Sequence, residues 1–350
     1  MSNTQKKNVP ELRFPEFEGE WEEKQLGNII KVNSGKDYKH LDKGDIPVYG
    51  TGGYMTSVSE PLSEIDAVGI GRKGTINKPY LLEAPFWTVD TLFYCTPKKE
   101  TDILFILSLF RKINWKVYDE STGVPSLSKQ TINKINRFVP TNKEQQKIGK
   151  FFSKLDRQIE LEEQKLELLQ QQKKGYMQKI FSQELRFKDE NGNDYPDWTN
   201  ERLGEVTTVT MGQSPKSVNY TDNSNDTVLI QGNADIENGL INPRIYTREV
   251  TKLIQKDEII LTVRAPVGKL AMAQINACIG RGVCSIKGDK FLYYFLEWFA
   301  TQNKWIRFSQ GSTFESISGN DIRNIHIKIP VEDERTKIIK LLNSLDVLNS

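Results

Sequence analysis

The chain has 350 residues, a formal net charge of +2 and three cysteines. Its length predicts two domains, or three, each large enough to bury a core of its own. Cys95, Cys278 and Cys284 form no C-x-x-C pair, and the two histidines lack ligand spacing, so we expect neither a disulfide framework nor a bound metal. No apolar run is long enough for a membrane span and the N-terminus has no apolar signal core, which favours a cytoplasmic protein.

The first predicted elements follow Trp21. The stretch "WEEKQLGNIIKVNSGK" reads W-x-x-x-x-L-G, then an apolar β-branched run, then Gly35. Residues 46–48 form another short apolar run that leads into a glycine turn, which is typical of a β-strand. Further along, the apolar stretch 103–114 predicts a helix. The first globular part therefore mixes strands with a few helices.

The stretch "GIGRKG", from Gly69 to Gly74, matches the G-x-G-x-x-G fingerprint of a dinucleotide-binding loop. Such a loop needs a helix directly after it, whose N-terminus faces the pyrophosphate. Here "TINKPYLLEAPF" follows, and its β-branched residues and two prolines oppose a helix. We therefore favour a strand–turn–strand hairpin with Arg72 and Lys73 at an exposed tip. A solvated loop arginine without a function is the simpler alternative.

A long helix is predicted over residues 143–182, where proline is absent and apolar residues recur at steps of three and four. Glu162 and Lys173 interrupt this coiled-coil heptad. About 40 residues of helix span roughly 60 Å. We expect a second helix after residue 331 to pair with it antiparallel; the alternative is a helix lying on a globular core. The predicted seam consists of Ile148, Phe152, Leu155, Ile159, Leu166, Leu169, Tyr176, Ile180, Ile338, Leu342 and Leu345.

The whole arrangement then occurs a second time. "WTNERLGEVTTVTMGQ" begins at Trp198 with the same W-x-x-x-x-L-G opening, and Leu-Arg-Phe precedes both openings. The two copies also close alike, with "PSLSKQTINKINRFVPTNKEQQKI" in the first and "ESISGNDIRNIHIKIPVEDERTKI" in the second. So many matches at one offset indicate two copies of one unit, each a globular part followed by a helical part.

The second copy also tests the glycine motif. Opposite "GIGRKGTI" stands "LTVRAPVGKL", in which the first two glycines are absent and Arg264 is aligned with Arg72. A dinucleotide-binding loop needs its glycines for the tight turn and for close approach of the phosphates. Their absence from the second copy, where the arginine is kept, therefore opposes such a loop. The recurrence of arginine therefore favours a functional tip. Its planar fork can bond guanine O6 and N7 together, or hold a phosphate.

These motifs, in this order and twice over, resemble the specificity subunit of type I restriction–modification systems across nearly the whole chain. The resemblance implies an α+β fold: two similar globular target recognition domains, each a mixed β-sheet with short helices, separated by long helices that pair as an antiparallel coiled coil. The corresponding boundaries are 1–142 for target recognition domain 1, 143–183 for the central spacer helix, 184–330 for target recognition domain 2, and 331–350 for the start of a C-terminal spacer helix, which we expect to be truncated.

The resemblance also implies that each domain reads one half of a split, asymmetric site in double-stranded DNA and that the helices set the gap. Two methyltransferase (modification) subunits are expected to dock on the helices and domains, and restriction/translocase subunits join them. S-adenosylmethionine, ATP and Mg²⁺ would belong to those partners, and this chain would hold no cofactor. No N-P-P-Y, D-P-P-Y or P-loop motif occurs and no carboxylate cluster is evident, which agrees with a chain that is not an enzyme.

Candidate DNA contacts are the cationic, amide, hydroxyl and aromatic residues near the predicted strand ends. Gln231 and Asn233 could each bond adenine twice. Ser128 and Ser318 fit helix N-caps better than DNA contacts, and Tyr38 and Tyr49 fit a core edge equally well. The candidates are Lys36, Tyr38, Lys39, Tyr49, Thr51, Arg72, Lys73, Ser126, Ser128, Lys129, Ser214, Lys216, Gln231, Asn233, Arg264, Arg281, Ser316, Ser318 and Asn320.

Two alternatives of other classes remain open from the sequence. One is a coiled-coil scaffold protein whose duplicated domains bind proteins or other ligands. The other is an enzyme that binds a nucleotide at "GIGRKG". Titration with random-sequence DNA separates them, because phosphate contacts make binding fall steeply with salt.

Overall fold

The computed structural model describes residues 8–305 and 316–348, which form two compact units, Met1–Glu162 and Glu163–Ser350. The boundary between the units falls within one long helix. In the described ranges, no helix combines the length and the apolar character that crossing a membrane requires.

The elements of the first unit are β1 (Glu22–Gln25), α1 (Leu26–Ile29), β2 (Ile30–Ser34), β3 (Ile46–Gly50), β4 (Gly53–Val58), β5 (Ala67–Gly71), β6 (Tyr80–Leu82), β7 (Trp87–Thr88), β8 (Leu92–Pro97), α2 (Ile103–Lys112), α3 (Lys129–Lys134), β9 (Asn136–Val139) and α4 (Asn142–Phe181). Three small sheets form, in the orders β1-β9, β2-β8-β5-β6 and β4-β3-β7. All pairs are antiparallel except β3 with β7.

Strand β5 lies inside its sheet, and all five of its residues, Ala-Val-Gly-Ile-Gly, are buried. A Cβ on Gly71 would lie 2.1 Å from the carbonyl oxygen of Thr75, so the close approach of this backbone requires glycine. Helix α2 begins at an N-cap, Asp102, whose carboxylate accepts a hydrogen bond from the amide of Phe105. It buries Phe105, Ile106, Leu107 and Phe110 in the core that also holds β2 and β5.

The elements of the second unit, besides the end of α4, are β10 (Thr199–Arg202), α5 (Leu203–Val206), β11 (Val209–Met211), β12 (Tyr220–Thr221), β13 (Thr227–Ile230), β14 (Ile236–Glu237), β15 (Leu240–Ile241), β16 (Tyr246–Thr247), β17 (Leu253–Ile254), β18 (Ile259–Thr262), β19 (Leu270–Met272), β20 (Ala277–Ile279), β21 (Val283–Ile286), α6 (Lys290–Thr301), α7 (Gly319–Arg323), β22 (His326–Ile329) and α8 (Glu332–Leu348).

The second unit repeats the pairings of the first. Strand β10 pairs with β22 as β1 pairs with β9, and the order β11-β21-β18-β19 repeats β2-β8-β5-β6. The parallel pair β13-β20 corresponds to β3-β7. Helix α6 corresponds to α2, since Asp289 caps it through the amide of Leu292. The predicted duplication, and the predicted strands and apolar helices of each copy, are therefore confirmed. Strand β16 pairs antiparallel with β13 as β4 pairs with β3, so the additions of the second unit are β12, β14, β15 and β17.

A buried glutamate in the first turn of a helix is held in the same way in both units. The Glu144 side chain is 1 % exposed and accepts two bonds from Arg13, from Nε at 2.8 Å and from Nη2 at 2.7 Å. The indole Nε1 of Trp21 donates to the same carboxylate at 3.2 Å. A bidentate arginine and an indole together satisfy the carboxylate, which would be costly to bury alone.

In the second unit, Glu334 of α8 is fully buried and takes the same partners. Arg186 donates from Nε and Nη2 at 2.8 Å each, and Trp198 donates at 2.9 Å. The backbone amide of Phe187 adds a fourth bond at 3.2 Å. We call these two sets the glutamate clamps. Each clamp connects the start of a unit, which contains the Leu-Arg-Phe segment and the tryptophan, to the helix at the end of the unit.

Helix α8 runs antiparallel to the last turns of α4. Lys173 bonds Asp346 at 2.7 Å and Glu297 at 2.8 Å, while Arg186, just after α4, reaches Glu334 at the other end of α8. Burial alone would lower the pKa of Lys173, but the charges of Glu297 and Asp346 raise it, so the ammonium stays ionised. A charged group at a seam position fixes the register of the two helices.

The predicted coiled-coil seam divides into a covered and an uncovered part. Four members are buried and three are half-buried: Ile180, Ile338, Leu342 and Leu345, then Ile148, Leu169 and Tyr176. Four members in the middle of α4 are 39–58 % exposed: Phe152, Leu155, Ile159 and Leu166. We call this exposed part, together with Phe151, the apolar face of α4. The expected pairing is thus observed at the end of α4, within the second unit.

Replacing Glu334 with alanine leaves Arg186 and Trp198 without their shared acceptor inside the protein. We expect the free energy of unfolding of the second unit to fall by about 2–3 kcal/mol, because a half-buried guanidinium and a buried indole N–H lose their acceptor. Hydrogen–deuterium exchange resolved by peptide measures this for each unit separately. The control is Glu332→Ala, an exposed carboxylate in the same helical turn, which should cost less than about 1 kcal/mol. Equal exchange in both variants would contradict a stabilising role for the clamp.

Candidate functional site

The predicted hairpins are present in both units. Strands β5 and β6 pair antiparallel, and Arg72 and Lys73 are exposed in the connection between them. Strands β18 and β19 pair in the same way, and Arg264 is exposed in their connection. Gly69 and Gly71 of "GIGRKG" lie inside buried β5, and a strand follows the loop instead of a helix. The stretch is therefore no dinucleotide-binding loop.

In the first unit, a turn at residues 89–91 brings several candidate residues together. The amide of Val89 donates to the carbonyl of Tyr49 at 3.0 Å, and the amide of Arg72 donates to the carbonyl of Thr91 at 2.8 Å. The amide of Lys36 bonds the carbonyl of Thr88, just before the turn, at 2.8 Å. The ends of three chain segments are thus fixed around this turn, which we call the first turn.

The closing segment of the first unit joins the same place. Lys73 forms a β-bridge with Ser126, and the amide of Leu127 donates to the carbonyl of Arg72 at 3.0 Å. The guanidinium carbon of Arg72 and the ammonium of Lys129 lie 5.9 Å and 6.0 Å from the ring centroid of Phe93. Both cations are at cation–π distance from one aromatic ring, which holds them on the same side of the unit.

The second unit builds its site from the same backbone bonds. The amide of Gly280 donates to the carbonyl of Ile230 at 2.7 Å, and the amide of Val263 donates to the carbonyl of Gly282 at 2.9 Å. Between them, the amide of Arg281 donates to Oγ of Ser214 at 3.1 Å. A Cβ on Gly282 would lie 1.9 Å from the carbonyl oxygen of Gln231, so the turn needs glycine there. We call residues 280–282 the second turn.

These bonds correct one correspondence that the sequence suggested. Arg264 forms a β-bridge with Ser316, as Lys73 does with Ser126. Val263 takes the place of Arg72, since its amide bonds the turn and its carbonyl accepts from the closing segment, here from Ile317 at 3.0 Å. The structural partner of Arg264 is therefore Lys73, and the alignment with Arg72 is wrong. Because the loops differ in sequence, only their backbone bonds reveal the register.

Other candidates of the second unit lie around the second turn or near it. The amide Nε2 of Gln231 donates to the hydroxyl of Tyr220 at 2.6 Å. Asn233 begins a short 3-10 helix, and its carbonyl accepts from Nζ of Lys269 at 3.2 Å. Lys216 is exposed, and its backbone amide donates to Glu249 at 3.0 Å. The Gln231 amide is thus engaged within the chain, while the Lys216 ammonium faces solvent.

The serines of the closing segments have the structural role that the sequence favoured. Ser128 caps α3 by accepting from the amide of Thr131, and Ser318 caps α7 by accepting from the amide of Asp321. Asn320, in the first turn of α7, accepts a bond from Arg323 at 3.3 Å. The caps fix the helix starts next to the two β-bridges of the closing segments.

The remaining candidates of the first unit surround strand β3. Tyr38 packs against the small core that contains Val48. The ring of Tyr49 lies 6.4 Å from that of Tyr54 and 6.2 Å from that of Tyr80. Lys39 is exposed, and Thr51 is half-buried in the β3–β4 turn. Tyr38 and Tyr49 therefore lie at core edges.

The structure adds residues that the sequence did not single out. Asp90 is exposed at the first turn, in the place that Arg281 holds in the second turn. Tyr54 and Met55 are 64 % and 52 % exposed on β4, and a Cβ on Gly50 would meet the sulfur of Met55 and the side chain of Val89. When β8 is aligned with β21, Asp90 is aligned with Arg281. This change of charge at one position is the sequence signal that would have identified Asp90.

The site offers exposed cations and hydrogen-bonding groups. In residues 8–305 and 316–348, no three histidine, cysteine, aspartate or glutamate side chains gather as metal ligands would. All three cysteines are buried, and burial raises the pKa of the Cys284 thiol to about 12, so it is no thiolate at neutral pH. The arrangement suits non-covalent recognition.

Comparison with known proteins agrees with this picture. A family model described as a type I restriction modification DNA specificity domain matches residues 18–171 and again residues 195–350. The putative type I restriction enzyme MjaX specificity subunit of Methanocaldococcus jannaschii is 30% identical over 261 residues, which are 70% of this chain and 61% of that protein. The MjaVIII specificity subunit of the same organism is 25% identical over 312 residues, 82% of this chain and 71% of that protein. The chain thus spans about three fifths of the MjaX relative.

Two solved structures share the fold. The type I restriction–modification S subunit from M. genitalium superimposes with a TM-score of 0.68 at 16% identity, over 97% of this chain and 94% of that one. A chain from a study of complex assembly and conformational transition in the type I system superimposes with a TM-score of 0.57 at 18% identity, over 97% and 92%. At these identities, both likenesses show the fold alone.

Proposed function

The chain belongs to the type I restriction–modification DNA specificity family, and from this premise we propose that it reads the DNA site for such a system. Each unit reads one half of a bipartite, asymmetric site in double-stranded DNA. The observation that carries this proposal is the repetition of the site: the same backbone bonds gather a turn, a hairpin loop and a closing segment in each unit. The coiled-coil scaffold finds no support among the relatives named above.

Affinity and choice of sequence come from different side chains in this proposal. Exposed lysines such as Lys36, Lys39 and Lys129 supply phosphate contacts, which depend on salt and carry no sequence information. Arg264 and Arg281 supply base contacts, because a guanidinium bonds guanine O6 and N7 together in the major groove. Arg281 is exposed in the second turn, and Arg264 is exposed next to Val263, whose amide bonds that turn.

The chain acts without catalysing a reaction, in the cytoplasm, as part of a larger complex. Two methyltransferase subunits dock on its helices and domains, and restriction/translocase subunits join that core. The apolar face of α4 supports this, because exposed apolar side chains at helical spacing mark an interaction surface. S-adenosylmethionine, ATP and Mg²⁺ belong to the partners. Helix α4 sets the gap between the half-sites.

Substituting Arg264 with alanine removes a guanidinium group that, in this proposal, donates hydrogen bonds to a base. We expect a loss of about 1–3 kcal/mol at one base position of one half-site, with little change at the others. The measurement is competition binding of the full chain and its methyltransferase partner to single-base variants of the selected site, at several salt concentrations. Arg202→Ala is the matched control, since Arg202 is also exposed but lies on the β10–β22 sheet. Unchanged binding to every variant at every salt concentration would show that Arg264 is a bystander.

Deleting one heptad, residues 160–166, shortens α4 without changing the phase of its apolar positions. Seven residues of helix measure about 10 Å, so we expect the preferred gap to shorten by about three base pairs. Selection of bound duplexes from a library of gap lengths measures the change. An equal-length replacement that keeps Glu162 and Leu166 is the control and should keep the gap. The same gap in the deletion variant would refute the spacing role.

A further inference from the structure

The first and second turns have the same backbone and opposite charges. Val89 bonds the end of β3 as Gly280 bonds the end of β13, and the carbonyl of Thr91 accepts from Arg72 as that of Gly282 accepts from Val263. The residue at the middle of each turn is therefore in the same place. It is Asp90 in the first unit and Arg281 in the second, and both are exposed.

The Asp90 carboxylate is not used in the fold. Within residues 8–305 and 316–348, it makes no hydrogen bond or ion pair. Arg72 does reach this residue, but its Nη1 donates to the backbone carbonyl, at 3.5 Å. A substitution of the side chain therefore leaves the contact with Arg72 and the backbone bonds of the turn in place.

An ionised carboxylate only accepts hydrogen bonds, and this restricts the groups on DNA that it can contact. Arg72 and Lys73 flank the turn through their amides, which both bond Thr91. On duplex DNA the phosphates repel a carboxylate, and the major-groove edges of guanine and of thymine offer acceptors only. The exocyclic amino groups of cytosine N4 and adenine N6 are the donors on that side of the bases. A carboxylate that contacts guanine or thymine loses water and gains no hydrogen bond in return, which costs free energy.

We propose that Asp90 is a specificity-determining residue of the first unit, which accepts a hydrogen bond from the exocyclic amino group of cytosine or adenine. Arg281, in the same place in the second unit, donates to guanine. One backbone turn thus reads an amino group in one half-site and guanine in the other. The inference rests on the proposed function and assigns the chemistry of one position within it.

The test is selection of bound sequences from a randomised duplex library by the full chain together with its methyltransferase partner. Asp90→Ala should erase the preference at one position of one half-site, where discrimination falls by about tenfold, and leave the other positions unchanged. Asp90→Asn should favour adenine there, because an amide bonds adenine N6 and N7 together. The base that the unsubstituted chain selects at this position, cytosine or adenine, identifies the donor. Asp45→Ala is the control, because Asp45 is an exposed carboxylate before the opposite end of β3.

The outcomes separate this inference from the function on which it rests. If the unsubstituted chain enriches no bipartite site, the proposed function fails. If it does, but Asp90→Ala keeps every preference, weakens all sequences alike, or changes a position where guanine or thymine was selected, the role of Asp90 is refuted and the function stands. Loss of a cytosine or adenine preference at one position, with Asp45→Ala unchanged, supports the proposal.

Discussion

The glutamate clamps are the interaction on which each unit depends. A carboxylate removed from water must be fully paired, and Glu144 and Glu334 are paired by a bidentate arginine and an indole. The partners come from opposite ends of each unit's sequence, so the clamp closes the unit. It also ties the first turn of α4 or α8 to a fixed place on a core. In the spacing role proposed above, α4 therefore begins at a fixed place.

The rest of each unit combines a common frame with tips whose side chains differ between the two units. The two-stranded sheet, the four-stranded order and the parallel pair are the same in both units. The tips of this frame carry different chemistry, Lys73 against Arg264 and Asp90 against Arg281. Backbone bonds hold the tips, so side chains there can change without loss of the frame. In the proposed function, this lets two copies of one fold read unlike half-sites.

The frame could be predicted from the sequence because its most constrained residues recur in both copies. Trp21 and Trp198, the clamp glutamates and the capping serines recur in the same order in both copies, and each has the same role twice. The tips could not be aligned, because no side chain is held in common there. The heptad of α4 could be predicted, and its apolar face is exposed between residues 151 and 166. A periodic pattern shows that a helix has an apolar face, but it does not identify the partner that covers it.

The central claim is that one chain carries two reading units that contact separate patches of duplex DNA. Hydroxyl-radical footprinting of the full chain with the methyltransferase partner proposed above, on a duplex that this complex selects, tests this most directly. Two protected patches separated by bases whose identity does not affect binding are expected. A single continuous patch whose bases all matter would contradict the claim.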